Sequence, residues 1–84
     1  MKNPFGLYLV ITDPATSYET CAEAAVRANL RFVQLRMKNV SREYFLSTAK
    51  NLRAITAGTQ TLFIVNDSPE IAAEVGADGV HLGQ

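Results

Sequence analysis

The sequence lacks the features that mark several large classes of protein. It contains one cysteine, Cys21, so an internal disulfide is excluded and a reducing compartment, the cytoplasm, is expected. Pro4 and Gly6 interrupt the N-terminal segment, so no signal peptide is expected, and no apolar run approaches the roughly 20 residues of a membrane span. Eight basic and eight acidic residues cancel, which leaves no basic surface for nucleic acid. We therefore expect no membrane partner and no nucleic-acid partner.

Short apolar runs are distributed along the whole chain. Apolar residues make up 48% of the sequence, which is ordinary for a globular protein. Within the runs, β-branched and aromatic residues are frequent, and this is typical of buried strands. The pattern predicts strands at residues 7–12, 32–36, 62–66 and 79–83.

A segment of helical spacing follows the first predicted strand. Thr16, three residues before Glu19, indicates a capping box for a helix over residues 18–28. Asn29 follows it and is expected in the left-handed conformation that ends many helices. Small side chains would let one face of this helix lie close to a sheet, namely those of Cys21, Ala24, Ala25 and Ala28.

Serine residues begin the other two predicted helices. Ser41 precedes a helix that Gly58 ends, and Ser68 with Pro69 begins a short helix that ends at Gly76. The longer helix has residues of one face recurring at helical spacing: Phe45, Ala49, Leu52 and Thr56.

The alternation of strands and helices predicts a parallel sheet, for which two architectures are open. One is an open doubly wound sheet, and the other is half of a (β/α)8 barrel. Alternation along each strand puts Gln34 and Arg36 on one face, and Asn66 and His81 on the matching faces of later strands. Such a polar face suits a barrel mouth better than a sheet covered on both sides. We therefore predict an α/β fold, the N-terminal half of a TIM-type barrel, as a single incomplete domain over residues 1–84.

Two cationic side chains follow the second predicted strand. Arg36 and Lys38 are two positions apart and close to Gln34. A guanidinium and an ammonium that converge there would suit a phosphate or a pyrophosphate. The alternative is a strand end that continues into a solvated basic loop, and the local sequence leaves both open.

Asn66 and Asp67 end the third predicted strand. An aspartate facing a bound anion is a good Mg²⁺ ligand, and Asn66 could hold a phosphate oxygen. The alternative for Asp67 is capping of the helix that begins near Ser68. His81 is the only histidine and is interpreted as structural, and Asp78 is interpreted as part of a turn.

Taken together and in this order, four segments resemble the thiamine-phosphate synthase family. They are Tyr-Leu-Val-Ile-Thr-Asp at 8–13, Val-Gln-Leu-Arg-Met-Lys at 33–38, Phe-Ile-Val-Asn-Asp at 63–67 and Gly-Ala-Asp-Gly-Val-His-Leu-Gly-Gln at 76–84. Each motif is weak alone, and four in register are specific. The resemblance covers the whole chain but only the first part of a family member.

The resemblance implies a transferase built on a (β/α)8 barrel. Its small-molecule substrates would be an aminopyrimidine-methyl pyrophosphate and a thiazole phosphate. Its products would be thiamine phosphate and pyrophosphate, and its cofactor would be Mg²⁺. By position, Gln34 resembles the pyrimidine contact and Asp67 a Mg²⁺ ligand. The pyrophosphate contacts would be Arg36, Lys38 and Asn66.

The sequence departs from the family pattern in two side chains and in length. Met37 stands where Glu is common and is expected to face away from the ligand, and Asn29 stands where Gly is common. The second Mg²⁺-binding aspartate of the family falls just beyond Gln84, and the thiazole-phosphate loops and a further lysine lie later still. The 84-residue chain alone is therefore expected to be inactive and to need a missing C-terminal half or a homo-oligomer partner.

Two other functions stay open. One is a non-catalytic half barrel that binds an anion or assembles with another chain, because parallel strands would leave two unpaired edges and one open polar face. The other is a related thiazole tautomerase that shares the fold. The intact Arg36 and Lys38 pair and the Asn66 and Asp67 pair favour the synthase.

Overall fold

Strands and helices alternate through the residues that the computed structural model describes, 8–12 and 16–82. Within these residues the strands are β1 (Tyr8–Ile11), β2 (Phe32–Leu35), β3 (Leu62–Asn66) and β4 (Gly79–His81). The helices are α1 (Tyr18–Arg27), α2 (Arg42–Thr56) and α3 (Pro69–Val75). Each predicted element is therefore present. The outer residues of the first and last predicted strands, and the Asp13-Pro14 break, lie outside the described residues.

All strand pairs are parallel, and the sheet order is β1-β2-β3-β4. The helices pack side by side, α1 on α2 and α2 on α3, over one face of the sheet. A doubly wound sheet would reverse its strand order and carry helices on both faces. Sequential order with helices on one side is the winding of a (β/α)8 barrel, so the predicted half barrel is confirmed.

The core lies between the sheet and the helices. Alternate strand residues fill it, and Val33, Leu35, Phe63 and Val65 are fully buried. Small residues on the helices allow close approach to the sheet, as Ala22, Ala25 and Ala49 show. Burial of each large side chain stabilises the fold by about 1.5–3 kcal/mol. Met37 belongs to this core, which confirms that it faces away from the open side of the sheet.

Local signals define most helix ends as predicted. The side chain of Ser41 accepts a hydrogen bond from the backbone of Tyr44 at 3.1 Å, and that of Ser68 accepts one from Ile71 at 3.2 Å. Gly76 ends α3 in the left-handed conformation, with φ 71°. Asn29 is also left-handed, with φ 57°, where its short polar side chain is tolerated better than most.

The first helix begins at Tyr18 as predicted, but its N-cap, its last residue and its inner face differ from the prediction. The N-cap is Ser17, not Thr16, because the Ser17 hydroxyl accepts the backbone N–H of Thr20 at 2.9 Å. The helix ends at Arg27, one residue early. The inner face is also rotated: Ala22 and Ala25 are buried and Cys21 is half-buried, whereas Ala24 and Ala28 are exposed. None of the described helices is long and apolar enough to cross a membrane.

The opposite face of the sheet carries no helix among the described residues. Val10 and Leu62 project there and remain 42% and 38% exposed. Gln34 and Ile64 lie on the same face and are half-buried. In register, Val10, Gln34, Ile64 and Gly79 form one row across the four strands. This open face corresponds to the interior of a barrel.

Candidate active site

Polar side chains converge at the carboxyl edge of the sheet, on its open face. Asn66 and His81 are the last residues of β3 and β4 and are paired in register. Arg36 directly follows β2. Because Leu35 is paired with Val65, the same register puts Arg36 opposite Asn66. Arg36, Asn66 and His81 thus form one row across the sheet, which we call the polar row. Gln34 is one row below, between Val10 and Ile64.

Asn66 is the centre of a hydrogen-bonded group. Only 5% of its surface is exposed. Its amide nitrogen donates to Oδ2 of Asp67 at 2.9 Å, and its amide oxygen lies 3.0 Å from Nδ1 of His81. Both interactions hold the amide in one orientation. The structure thus joins two of the predicted site residues, Asn66 and Asp67, and adds His81 to them.

Asp67 has a backbone conformation that is uncommon for a residue with a side chain. Its φ is 69°, in the left-handed region, and its N–H donates to the carbonyl of His81 at 2.8 Å. The residue is exposed. It does not cap α3, because Ser68 does so. The interpretation of Asp67 as a helix cap is therefore wrong, and its strained backbone is of the kind that functional positions often retain.

Arg36 and Lys38 differ in their surroundings. Arg36 is half-buried, and its N–H donates to the carbonyl of Ile11 at 3.1 Å, which fixes the chain as it leaves β2. Lys38 is exposed. The ion pairs among the described residues belong to Arg42 and Arg53, so both cations are without a carboxylate partner there. Cations at a strand edge that have no carboxylate partner in the described part of the chain favour the anion-binding interpretation over a purely structural one.

Lys38 is not joined to Asn66 by any contact among the described residues. It lines a cavity of about 540 Å³ between the starts of α1 and α2. The hydroxyl groups of Thr12 and Ser17 line the same cavity. Lys38 therefore lies at the same edge of the sheet as Asn66, with its long side chain lining a separate cavity.

The chain offers an incomplete set of metal ligands. No group of three or more histidine, cysteine, aspartate or glutamate side chains gathers within residues 8–12 and 16–82. Within residues 8–12 and 16–82, Asp67 is the carboxylate at the carboxyl edge beside Asn66. A magnesium ion keeps several waters and is often bound by one or two carboxylates together with substrate phosphates. One exposed aspartate that is hydrogen-bonded to Asn66 at this edge fits such a site in part.

Asp78 lies at the other edge of the sheet and has a structural role. Its carboxylate accepts a hydrogen bond from the backbone of Phe63 at 2.7 Å and one from Nη1 of Arg53 at 3.2 Å. Its own N–H donates to the carbonyl of Phe63 at 2.8 Å. These bonds fix the turn before β4, as the sequence indicated. The link to Arg53 was not predicted.

His81 is the residue whose place in the site was missed. The sequence predicts a structural histidine whose hydrogen bonds are satisfied. The ring is hydrogen-bonded, and its partner is a candidate site residue, Asn66. The signal that identifies it is positional, because Asn66 and His81 close two neighbouring parallel strands. Their contact depends on a one-residue choice of register, which sequence spacing does not determine.

Comparison with known proteins identifies a family that matches most of this chain. The family model described as thiamine monophosphate synthase matches residues 7–84. The thiamine-phosphate synthase of Alcanivorax borkumensis is 46% identical over an alignment of 86 positions, gaps included, which covers 94% of this chain and 38% of that protein. The thiamine-phosphate synthase of Clostridioides difficile is 40% identical, over 100% of this chain and 41% of that protein.

A solved structure shows the same fold. Thiamine phosphate pyrophosphorylase from Pyrococcus furiosus superposes with a TM-score of 0.81 at 30% identity, over 90% of this chain and 38% of that one. The chain therefore spans about two fifths of the length of these relatives. The family match over residues 7–84 and the shared fold agree, and the chain belongs to the thiamine monophosphate synthase family.

Proposed function

We propose that the protein carrying this chain is a thiamine-phosphate synthase. In this reaction an aminopyrimidine-methyl pyrophosphate loses pyrophosphate, and the nitrogen of a thiazole phosphate bonds to the carbon left behind. The observation that carries the proposal is the row of Arg36 and Asn66 at the carboxyl ends of β2 and β3, with Asp67 beside it. Loss of pyrophosphate needs cations and amide donors more than it needs a strong base.

The residues of the row have distinct proposed roles. Arg36 would pair with two oxygens of the departing pyrophosphate, since its guanidinium is planar and lacks a carboxylate partner among the described residues. The Asn66 amide would donate its second N–H to the same group. Gln34, one row deeper on the open face, would contact the pyrimidine. Lys38 would reach the outer phosphate from the adjacent cavity.

Mg²⁺ is the proposed cofactor, and Asp67 is the residue that would hold it. When bound, the ion would stabilise the negative charge that develops on the leaving pyrophosphate. Asp67 is exposed, and Asn66 fixes one of its oxygens at 2.9 Å. The family resemblance puts the second aspartate ligand beyond Gln84.

The open face of the sheet also needs a partner. Val10 and Leu62 are exposed there, and β1 and β4 are edge strands in the described part of the chain. We propose that further barrel strands of the same protein cover this face, since its relatives are more than twice as long. A second copy of the chain is the alternative. The single cysteine is consistent with the cytoplasm as the proposed location.

The test is turnover in the full protein encoded by the gene. Pyrophosphate release should require both substrates and Mg²⁺. Arg36→Ala should reduce kcat/KM at least a hundredfold, as loss of a charged transition-state contact does. Arg27→Ala, an exposed arginine on α1, is the matched control and should retain activity. Wild-type turnover in Arg36→Ala would remove Arg36 from the site. Tautomerisation of a thiazole without pyrophosphate release would instead assign the protein to the related tautomerase activity.

A further inference from the structure

We infer that His81 is a positioning residue for this reaction: its Nδ1–H fixes the Asn66 amide so that the amide nitrogen faces Asp67 and the bound anion. The predicted effect on turnover rests on the proposed role of Asn66. The direction of the hydrogen bond between His81 and Asn66 can be tested independently of that role. The observation is a continuous chain of side-chain contacts. His81 Nδ1 lies 3.0 Å from Asn66 Oδ1, and Asn66 Nδ2 lies 2.9 Å from Asp67 Oδ2.

The direction of each hydrogen bond follows from the chemistry of its ends. An ionised carboxylate only accepts hydrogen bonds, so the Asn66 group facing Asp67 must be the NH₂ group. The reversed amide would put two acceptor oxygens 2.9 Å apart, at the same position. With the amide nitrogen assigned to Asp67, the amide oxygen faces His81. His81 must therefore donate from Nδ1, which fixes the tautomer of the neutral ring.

The contact is strong enough to matter because Asn66 is almost fully buried. Only 5% of its surface is exposed, whereas His81 itself is exposed, so removal of the His81 side chain would leave the Asn66 oxygen to solvent, which orients it less than a fixed ring N–H does. The same pair is tied through the backbone, since the Asp67 N–H donates to the carbonyl of His81 at 2.8 Å. His81 thus holds Asn66 through its side chain and Asp67 through its main chain.

The consequence for function lies in the second N–H of the Asn66 amide. One N–H is used by Asp67, and the other has no partner among the described residues. With the amide oxygen held by His81, this N–H keeps a fixed direction. Without His81, of these two contacts only that with Asp67 would orient the amide, so the direction of the second N–H would be less restricted when the anion binds.

Two substitutions distinguish which ring nitrogen matters. In His81→Asn, the side-chain nitrogen is the same number of bonds from Cα as Nδ1 and can donate to Asn66. In His81→Gln, the nitrogen is placed closer to the position of Nε2. We expect His81→Ala and His81→Gln to lower kcat/KM about tenfold, because each loses one orienting hydrogen bond. His81→Asn should retain most of the wild-type kcat/KM. Val80→Ala, its neighbour with an exposed side chain, is the control.

A double-mutant cycle in the full protein separates this inference from the proposed function. If His81 acts through Asn66, then His81→Ala should have little further effect once Asn66→Ala is present. Additive losses, or rescue by His81→Gln instead of His81→Asn, would overturn the inference. Wild-type activity in Asn66→Ala would instead overturn the proposed role of Asn66.

Nitrogen NMR of the full protein gives a readout that does not depend on activity. With histidine ring nitrogens labelled and in mildly alkaline buffer, Nδ1 of His81 should be protonated and Nε2 unprotonated. The His81 signals are assigned by their absence in His81→Asn. The opposite tautomer would overturn the inference, even if the variants are poorly folded.

Discussion

The carboxylate of Asp78 accepts a hydrogen bond from the backbone N–H of Phe63 at 2.7 Å, and its backbone donates to the Phe63 carbonyl at 2.8 Å. This reciprocal pair joins the start of β4 to the start of β3. Arg53 on α2 donates to the same carboxylate and to the Gly76 carbonyl. The amino edge of the sheet is therefore held by structural bonds, while the carboxyl edge carries the candidate site, a division typical of (β/α)8 barrels.

We expect Asp78→Ala to destabilise the fold without altering chemistry. The variant leaves the N–H of Phe63 without its side-chain acceptor, and Arg53 keeps its bond to the Gly76 carbonyl but loses the one to the carboxylate, which together cost about 1–3 kcal/mol in the free energy of unfolding. Urea unfolding of the full protein measures this. Glu23→Ala, at an exposed position on α1, should change stability little. Unchanged stability in Asp78→Ala would show that the reciprocal pair contributes nothing.

The cap of α3 should respond to Ser68 and not to Asp67. Ser68→Ala removes the side chain that accepts the backbone N–H of Ile71, and it should lower the free energy of unfolding by about 1 kcal/mol. Asp67→Asn should change unfolding less but should weaken the dependence of turnover on Mg²⁺. An unchanged magnesium titration in Asp67→Asn would exclude this residue as a ligand.

Two substitutions of Asp67 separate the effect of its backbone conformation on stability from the effect of its carboxylate. Asp67→Gly and Asp67→Ala both remove the carboxylate, but only glycine adopts φ 69° without a steric cost. We therefore expect Asp67→Gly to be more stable than Asp67→Ala by about 1 kcal/mol, measured by denaturant unfolding. Equal stability would mean that the left-handed conformation is not retained in solution.

The 84-residue chain, expressed by itself, should associate. Its open sheet face exposes Val10 and Leu62, and uncovered apolar strands promote pairing between chains. Light scattering should give a dimer or larger, and Val10→Asp with Leu62→Asp should reduce the mass. Tyr44→Ser, at an exposed residue of α2, is the control and should not. A compact wild-type monomer would contradict the interpretation of this face.

The features that could be predicted from the sequence are those with local causes. Alternation of side chains identified the inward and outward residues of β2 and β3, because the period of a strand is fixed by its geometry. Ser41 and Ser68 gave their helix starts, since each cap is a contact within a few residues. The four-strand half barrel followed from the order of these elements and was confirmed.

The features that could not be predicted depend on contacts between distant residues or on small energy differences. Thr16 and Ser17 are both good N-caps, and the structure uses Ser17. The burial of Ala22 and not of Ala24 depends on how α1 packs against the sheet, which helical spacing alone does not determine. The contacts of His81 with Asn66 and of Arg53 with Asp78 each join residues on different elements, so no local pattern reveals them.

Binding of inorganic pyrophosphate to the full protein is the most direct test of the central claim, that the carboxyl ends of β2 and β3 hold this group. Calorimetric titration in the presence of Mg²⁺ should show binding that is weakened at least tenfold in Asn66→Ala and in Arg36→Ala, since each loses a hydrogen bond to a charged group. Arg27→Ala should bind as the wild type does. Equal affinity in all of these proteins would contradict the claim and would assign the polar row to structure alone.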